Sequence, residues 1–305
     1  MQTFEVVMLG NQAVGKTSML SALSKDLDAY NLNRRVQLAP TTEEFKVLSN
    51  QWAAMLGQVQ AKRPFSTLAA GIEGTAAPFV SHEFEFKVDG ETEAKVIFTD
   101  TRGGLTGDMD EKLVSRVNEA YGVFCIVDAA VLMQCAPDAN FVWNCPDRVK
   151  EIFNKVYYDG DGKQPRFVAF ILTKCEKYMA SEEGRNRLSK AFHEHYDNIV
   201  DLLHKAPNPP NVYMLAIQTM TCVTFYKLDP DNGLPLFRVL PAKKLATKDC
   251  AYPLVILLRN VIATIMAGTG WWGKLLQKLG WAVDFNDYLV HLDTNIPKPE
   301  LYEPL

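Results

Sequence analysis

The 305 residues are 48% hydrophobic and 22% charged, with a formal net charge of −4. That apolar fraction excludes a disordered or fibrous chain, and at about 150 residues per domain the length fits one large domain or two small ones. The mildly acidic balance, with basic residues scattered along the chain, argues against a nucleic-acid backbone as the principal partner.

The opening MQTFEVVMLG carries an acid ahead of its apolar run and no basic leader, so no secretory signal is expected. The six cysteines include no Cys-x-x-Cys pair, and no histidine stands at zinc-ligand spacing; reduced thiols and a cytoplasmic location are the expectation. The longest apolar stretch, Tyr252 to Met266, is interrupted by Arg259 and Asn260 and reads as a buried helix rather than a membrane span.

In chain order, Phe4–Leu9 has the length and continuous apolarity of a strand covered on both faces. A glycine-rich turn follows, then a helix over about 15–25. An insertion at 26–74 carries its own helix over 42–62. Thr41 caps it and Glu44 completes a capping box, with Phe45, Leu48, Trp52, Met55, Leu56 and Val59 forming its apolar face.

Residues 79–88 alternate as a strand, turn at Asp89-Gly90, and return over 94–98 as the second arm of a hairpin. Helices near 109–120, 147–158 and 183–204 then separate strands at 122–127, 167–172 and 212–217. That alternation implies right-handed crossovers and a largely parallel sheet with one antiparallel edge strand. A second hairpin at 222–240 and a helix at 253–267 complete a domain over 1–270. Residues 271–305 form a C-terminal extension whose Trp271, Trp272, Leu275, Leu276, Leu279 and Trp281, with Lys274 and Lys278, make a basic amphipathic stretch. Such a stretch suits a membrane surface, although packing on its own domain is the commoner outcome.

Three motifs carry chemistry. Gly10-Asn11-Gln12-Ala13-Val14-Gly15-Lys16-Thr17 fits G-x-x-x-x-G-K-[ST] between the first strand and the first helix. Glycines let the backbone wrap a phosphate, and successive N–H groups through Ser18 and the helix start form an anion cradle. Lys16 reaches the outer phosphates and the Thr17 hydroxyl suits Mg²⁺. Asp100-Thr101-Arg102-Gly103 lies at a strand end, where open α/β sheets bind ligands. There Asp100 can hold the metal's water and the Gly103 N–H can meet the terminal phosphate. Thr173-Lys174-Cys175-Glu176 follows another strand and matches the [NT]-K-x-D base-recognition pattern with one extra methylene.

In this order and on these strands, the three motifs resemble the translation-factor and Ras-like class of P-loop GTPases, over about residues 1–217 plus the last apolar helix. Within that class the chain resembles most the bacterial double-GTPase-type proteins of conflict and signalling modules. The resemblance implies a three-layer α/β P-loop fold that binds GTP or GDP with Mg²⁺. Lys16, Thr75 and Gly103 would act in catalysis, and Thr17, Thr75 and Asp100 would face the metal. Gly10, Gln12, Ala13, Val14, Gly15, Lys16, Thr17, Ser18, Gly103, Thr173, Lys174, Glu176 and Ala216 would line the nucleotide, and a protein partner would dock through the switch regions. Thr75 is preferred as the switch threonine because it lies just ahead of the strand at 79. Two departures stand out: Gly104 occupies the place of the water-positioning glutamine, and no arginine closely precedes Thr75. Slow intrinsic hydrolysis follows, because those parts supply large factors in the rate. An ATP-binding P-loop protein and a nucleotide-binding scaffold without turnover are the alternatives.

Overall fold

The computed structural model describes residues 2–26, 36–69, 79–88, 90–101, 111–134, 137–160, 163–229, 231, 235–240, 246–266 and 297–305. Thr75, Arg102, Gly103, Gly104, the tip of the second hairpin and the stretch 271–281 lie outside them.

Strands β1 (Gln2–Leu9), β5 (Glu91–Thr101), β6 (Gly122–Asp128), β7 (Phe167–Thr173) and β8 (Asn211–Ala216) form a parallel array. Strand β4 (Phe79–Val88) pairs antiparallel with β5, and β2 (Val36–Pro40) pairs antiparallel with β4. At the opposite edge β11 (Tyr302–Pro304) lies antiparallel on β8. The eight-stranded order is β11-β8-β7-β6-β1-β5-β4-β2. The chain is thus a mixed α/β fold with a mostly parallel central sheet plus antiparallel strands, consistent with a P-loop NTPase-like fold. The strand at 79–88 is antiparallel as expected, but β2 covers its outer side, so the sheet has antiparallel strands at both edges. Val36–Pro40 escaped the sequence reading because its five residues have no clean alternation and end in Pro40. Proline fits there because β2 is an edge strand.

The buried strands are apolar on both faces because helices cover both. On one side Phe4, Val6 and Met8 of β1 meet Met19, Leu20 and Leu23 of α1 (Lys16–Asp26) and Leu254–Leu258 of α8 (Tyr252–Met266). On the other side Val7 and Leu9 meet α3 (Glu111–Glu119), α6 (Pro146–Asn154) and α7 (Glu182–His204). Period-two alternation in β1 therefore divides one strand between two cores. Buried Asn260 in α8 accepts a hydrogen bond from Asn211 and donates to the Ile256 carbonyl, so this polar interruption of an apolar helix is satisfied.

The insertion helix α2 (Thr42–Gln60) begins at Thr41, whose hydroxyl accepts from the Glu44 N–H at 3.4 Å. The other half of the expected box does not form: Glu44 turns to the buried His82 (2.7 Å), and the Thr41 N–H donates to the Glu83 carbonyl. Leu48, Met55 and Val59 are buried as expected, but Phe45 is 50% exposed, so the apolar face starts one turn later. Two short helices, α4 (Ala129–Leu132) and α5 (Pro137–Trp143), fill the connection before α6, which ends in a π-helical turn at 155–159. The expected helix over 147–158 is therefore a shorter α-helix with that turn appended.

A separate three-stranded sheet, β3-β10-β9, joins Thr67–Ala69 (β3) to the hairpin Val223–Leu228 (β9) and Pro235–Val239 (β10). Its inner residues Val223, Phe225, Phe237 and Val239 pack with Val59 of α2 and Ala130 of α4, both near the carboxyl ends of the parallel strands. No helix among the described residues is long and apolar enough to cross a membrane. The five described cysteines are buried and free.

Gly122 sits where a Cβ would overlap the Phe167 ring, which is fully buried and has no room to retreat. Gly122→Ala should therefore cost about 2–3 kcal/mol through overpacking, read as a lower midpoint in urea unfolding with an unchanged slope.

Candidate functional site

Strand order reverses at β1, with β5 on one side and β6 on the other, and open α/β sheets place ligands at such a switch point, outside the carboxyl ends of the strands. The turn that leaves β1 there needs unusual backbone. Ala13 has φ 63° and Gly15 φ 104°, and a Cβ on Gly10 would press on Val14 and the Ile126 carbonyl. The first bond of α1 runs from the Met19 N–H to the Gly15 carbonyl, so the N–H groups of Lys16, Thr17 and half-buried Ser18 have no acceptor within the helix. No acidic side chain occupies the first turn to compete for them. Gln12 is exposed at the loop's rim, its N–H held by the Asn11 side chain (2.8 Å).

Lys16 is only 7% exposed. Its ammonium donates to the Gly10 carbonyl (2.8 Å) and the Asn11 carbonyl (2.9 Å), so the side chain curls over the loop it follows. Burial lowers its pKa to about 8, against the opposing pull of Asp100 at 4.0 Å. Asp100, 1% exposed at the end of β5, accepts from the Thr17 hydroxyl at 2.8 Å. Its other oxygen is buried without a hydrogen-bond partner. A buried carboxylate oxygen left open beside a threonine hydroxyl is a donor set that suits a hard divalent cation. Among the described residues no group of three histidine, cysteine or acidic side chains could hold a metal by protein ligands alone. An ion here would take its remaining ligands from phosphate and water, as Mg²⁺ does. Thr75 and Gly103, expected near this point, lie outside the described residues.

The third motif reaches the same loop. The Thr173 hydroxyl, at the end of β7, donates to the Val14 carbonyl at 2.6 Å and lies 3.3 Å from the Val127 carbonyl. Lys174 has φ 55°, the left-handed region, which turns its side chain toward Asp128 at the end of β6, 2.5 Å away. Asp128 also caps α4 through the Ala130 and Val131 N–H groups, and Asn144 bonds both its main-chain N–H and its carbonyl. Sequence reasoning missed Asp128, although the signal was there: it ends the apolar run GVFCIVD just as Asp100 ends its own strand.

Glu176 is 8% exposed, and burial raises its pKa to about 7. One of its oxygens accepts from the Met220 N–H at 3.3 Å, which ties the loop after β8 to the base motif. Ala216 is not placed as expected. It is wholly buried within β8, and its N–H donates to the Leu301 carbonyl, so it has no donor left for a base. The segment after β8 that meets Glu176 begins at Met220, a few residues farther on. His193 and His195 of α7 are structural: His193 lies between Asp197 (2.7 Å) and Glu303 (2.9 Å), which raise its pKa against the effect of burial, while His195 packs edge-on against Phe141.

No family model and no curated protein matches this chain. Among solved structures it is similar to the bacterial selenocysteine-specific elongation factor EF-Sec, with a TM-score of 0.36 and 11% identity over 72% of this chain and 26% of that one. The chain thus spans about a quarter of that protein's length, and a likeness this distant carries no functional inference.

Thr173→Val keeps the side-chain shape but leaves the Val14 carbonyl without its donor. This variant should lose about 1–2 kcal/mol of stability, whereas Thr173→Ser should stay near wild type, both by chemical denaturation.

Proposed function

We propose that the chain binds a guanine nucleoside triphosphate with Mg²⁺ in the crevice above β1 and hydrolyses it slowly, acting as a nucleotide-dependent switch. One observation supports this reading above the rest. Lys16, Thr17 and Asp100, drawn from two distant stretches of sequence, converge at one helix start with an open carboxylate oxygen among them.

The phosphates would take the free N–H groups of the loop and of the first turn of α1. The Lys16 ammonium, now satisfied by two carbonyls, would turn to the outer phosphates, a charge-assisted contact stronger than the neutral acceptors it leaves. Thr17 and Asp100 would hold Mg²⁺, which when bound neutralises charge on the outer phosphates. Buried Thr173 fixes the loop from behind, and Asp128 fixes the stem of Lys174 so that it can lie along one face of the base. Glu176 would accept from the N–H groups on the guanine edge, a pattern that adenine does not offer. The expected slow turnover rests on Gly104, where no side chain can orient water, so a partner would have to complete the site.

Competition for a fluorescent guanine nucleotide tests the base preference: GTP should displace it far better than ATP, and Glu176→Ala should erase the difference. Lys16→Ala should remove binding of both.

The two perturbed groups also set a pH profile. Glu176 accepts from guanine only when ionised, so binding should weaken as pH falls through about 7, by up to about tenfold per unit. Lys16 serves phosphate only when protonated, so binding should weaken as pH rises well above about 8. GDP affinity should therefore peak between these values, and Glu176→Gln should flatten the acid side alone. A profile flat from pH 6 to 9 would contradict both assignments.

A further inference from the structure

The small sheet has a face and an edge that the nucleotide site does not use. Its inner side turns Phe225 and Phe237 toward the base motif, with Lys174 5.9 Å from the Phe237 ring and Lys177 5.4 Å from the Phe225 ring. Its outer side carries Tyr226, 40% exposed at the β9 bulge, with the Arg238 guanidinium 3.4 Å from its ring centre and Lys227 at 5.8 Å. Arg238 has a buried Nε with no hydrogen-bond partner, and no carboxylate pairs with it among the described residues. Strand β9 ends the β3-β10-β9 order, so one side of its backbone faces no further strand among the described residues. Lys227, on β9 itself, and Lys177, close to the Phe225 ring, are both exposed.

An open strand edge is a template for another strand. Cations at this sheet, with no carboxylate paired to Arg238, Lys227 or Lys177 among the described residues, select acidic side chains, and a tyrosine held flat by arginine is a rigid anchor of the kind that dominates protein interfaces. We propose that β9 is the docking edge for an extended acidic segment of a partner protein, which adds as a fourth strand and sets alternate carboxylates toward Arg238 and Lys227. A nucleic acid fits less well, because it has no peptide N–H and C=O groups with which to continue the ladder along the strand edge. Because the opposite face of this sheet touches Lys174 and Lys177, the partner would dock one sheet thickness from the base motif. The docking itself stands whether or not the crevice takes a nucleotide.

The test uses the full chain and a fluorescein-labelled peptide of five Glu-Thr repeats, followed by fluorescence anisotropy. Binding should weaken with added salt. It should also fall by about tenfold or more for a peptide of the same composition with its glutamates in one block, and for one N-methylated on alternate residues to remove the ladder donors. Arg238→Glu and Lys227→Glu should each weaken binding to a similar extent, and an unchanged far-ultraviolet circular dichroism spectrum and urea midpoint would show that these variants are folded. No binding to the intact chain, equal binding of the three peptides, or tighter binding of a thymidine 12-mer would each overturn the proposal.

Discussion

The hydrogen bond between Thr17 and Asp100 is the constraint from which the rest of the site follows. It joins the first turn of α1 to the end of β5, 83 residues away in sequence, inside a region where an unpaired carboxylate is costly. Asp100 is kept there by one hydroxyl and by the Lys16 ammonium at 4.0 Å, which leaves one oxygen without a donor. A fold that buries an acid with incomplete partners forgoes stability at that point, and such points cluster at functional sites. The loop is braced from the far side by Thr173 through the Val14 carbonyl, so its unusual backbone at Ala13 and Gly15 is held by tertiary contacts rather than by local preference.

Much of this was legible in the sequence because the physics involved is short-ranged. Apolar strands covered on both faces read as continuous runs, and the phosphate-loop pattern binds its residues within eight positions. Thr41 capped α2 as its sequence implied. The misses share one cause, which is that pairing between distant segments is invisible to local pattern. Strand β2 exists because β4 offers an edge, β3 because β10 does, and β11 because β8 does. Glu44 left its capping box because His82, 38 residues away, offered a better partner. Phe45 looked like part of an apolar stripe, but it stays half exposed among the described residues. The Ala216 N–H is likewise taken by the carbonyl of Leu301, 85 residues farther along the chain.

The small sheet gives the molecule a second layer of organisation. It gathers β3 from the insertion and the β9–β10 hairpin from beyond β8, and seats them over the carboxyl ends of the central strands. One face of it is apolar and spent on packing; the other is basic and aromatic. Between the base motif and that outer face stand Phe225 and Phe237, in edge-to-face contact with each other at 6.2 Å.

On the proposed reading, the loop over residues 10–18 holds phosphates. Titration calorimetry of the full chain with GTP, GDP and GMP in the presence of Mg²⁺ addresses it directly. Tight binding of GTP and GDP with GMP weaker by about a hundredfold or more is the predicted result, since GMP forgoes the contacts made by the loop amides and Lys16. GMP binding as tightly as GTP, or no heat from any of the three, would contradict it.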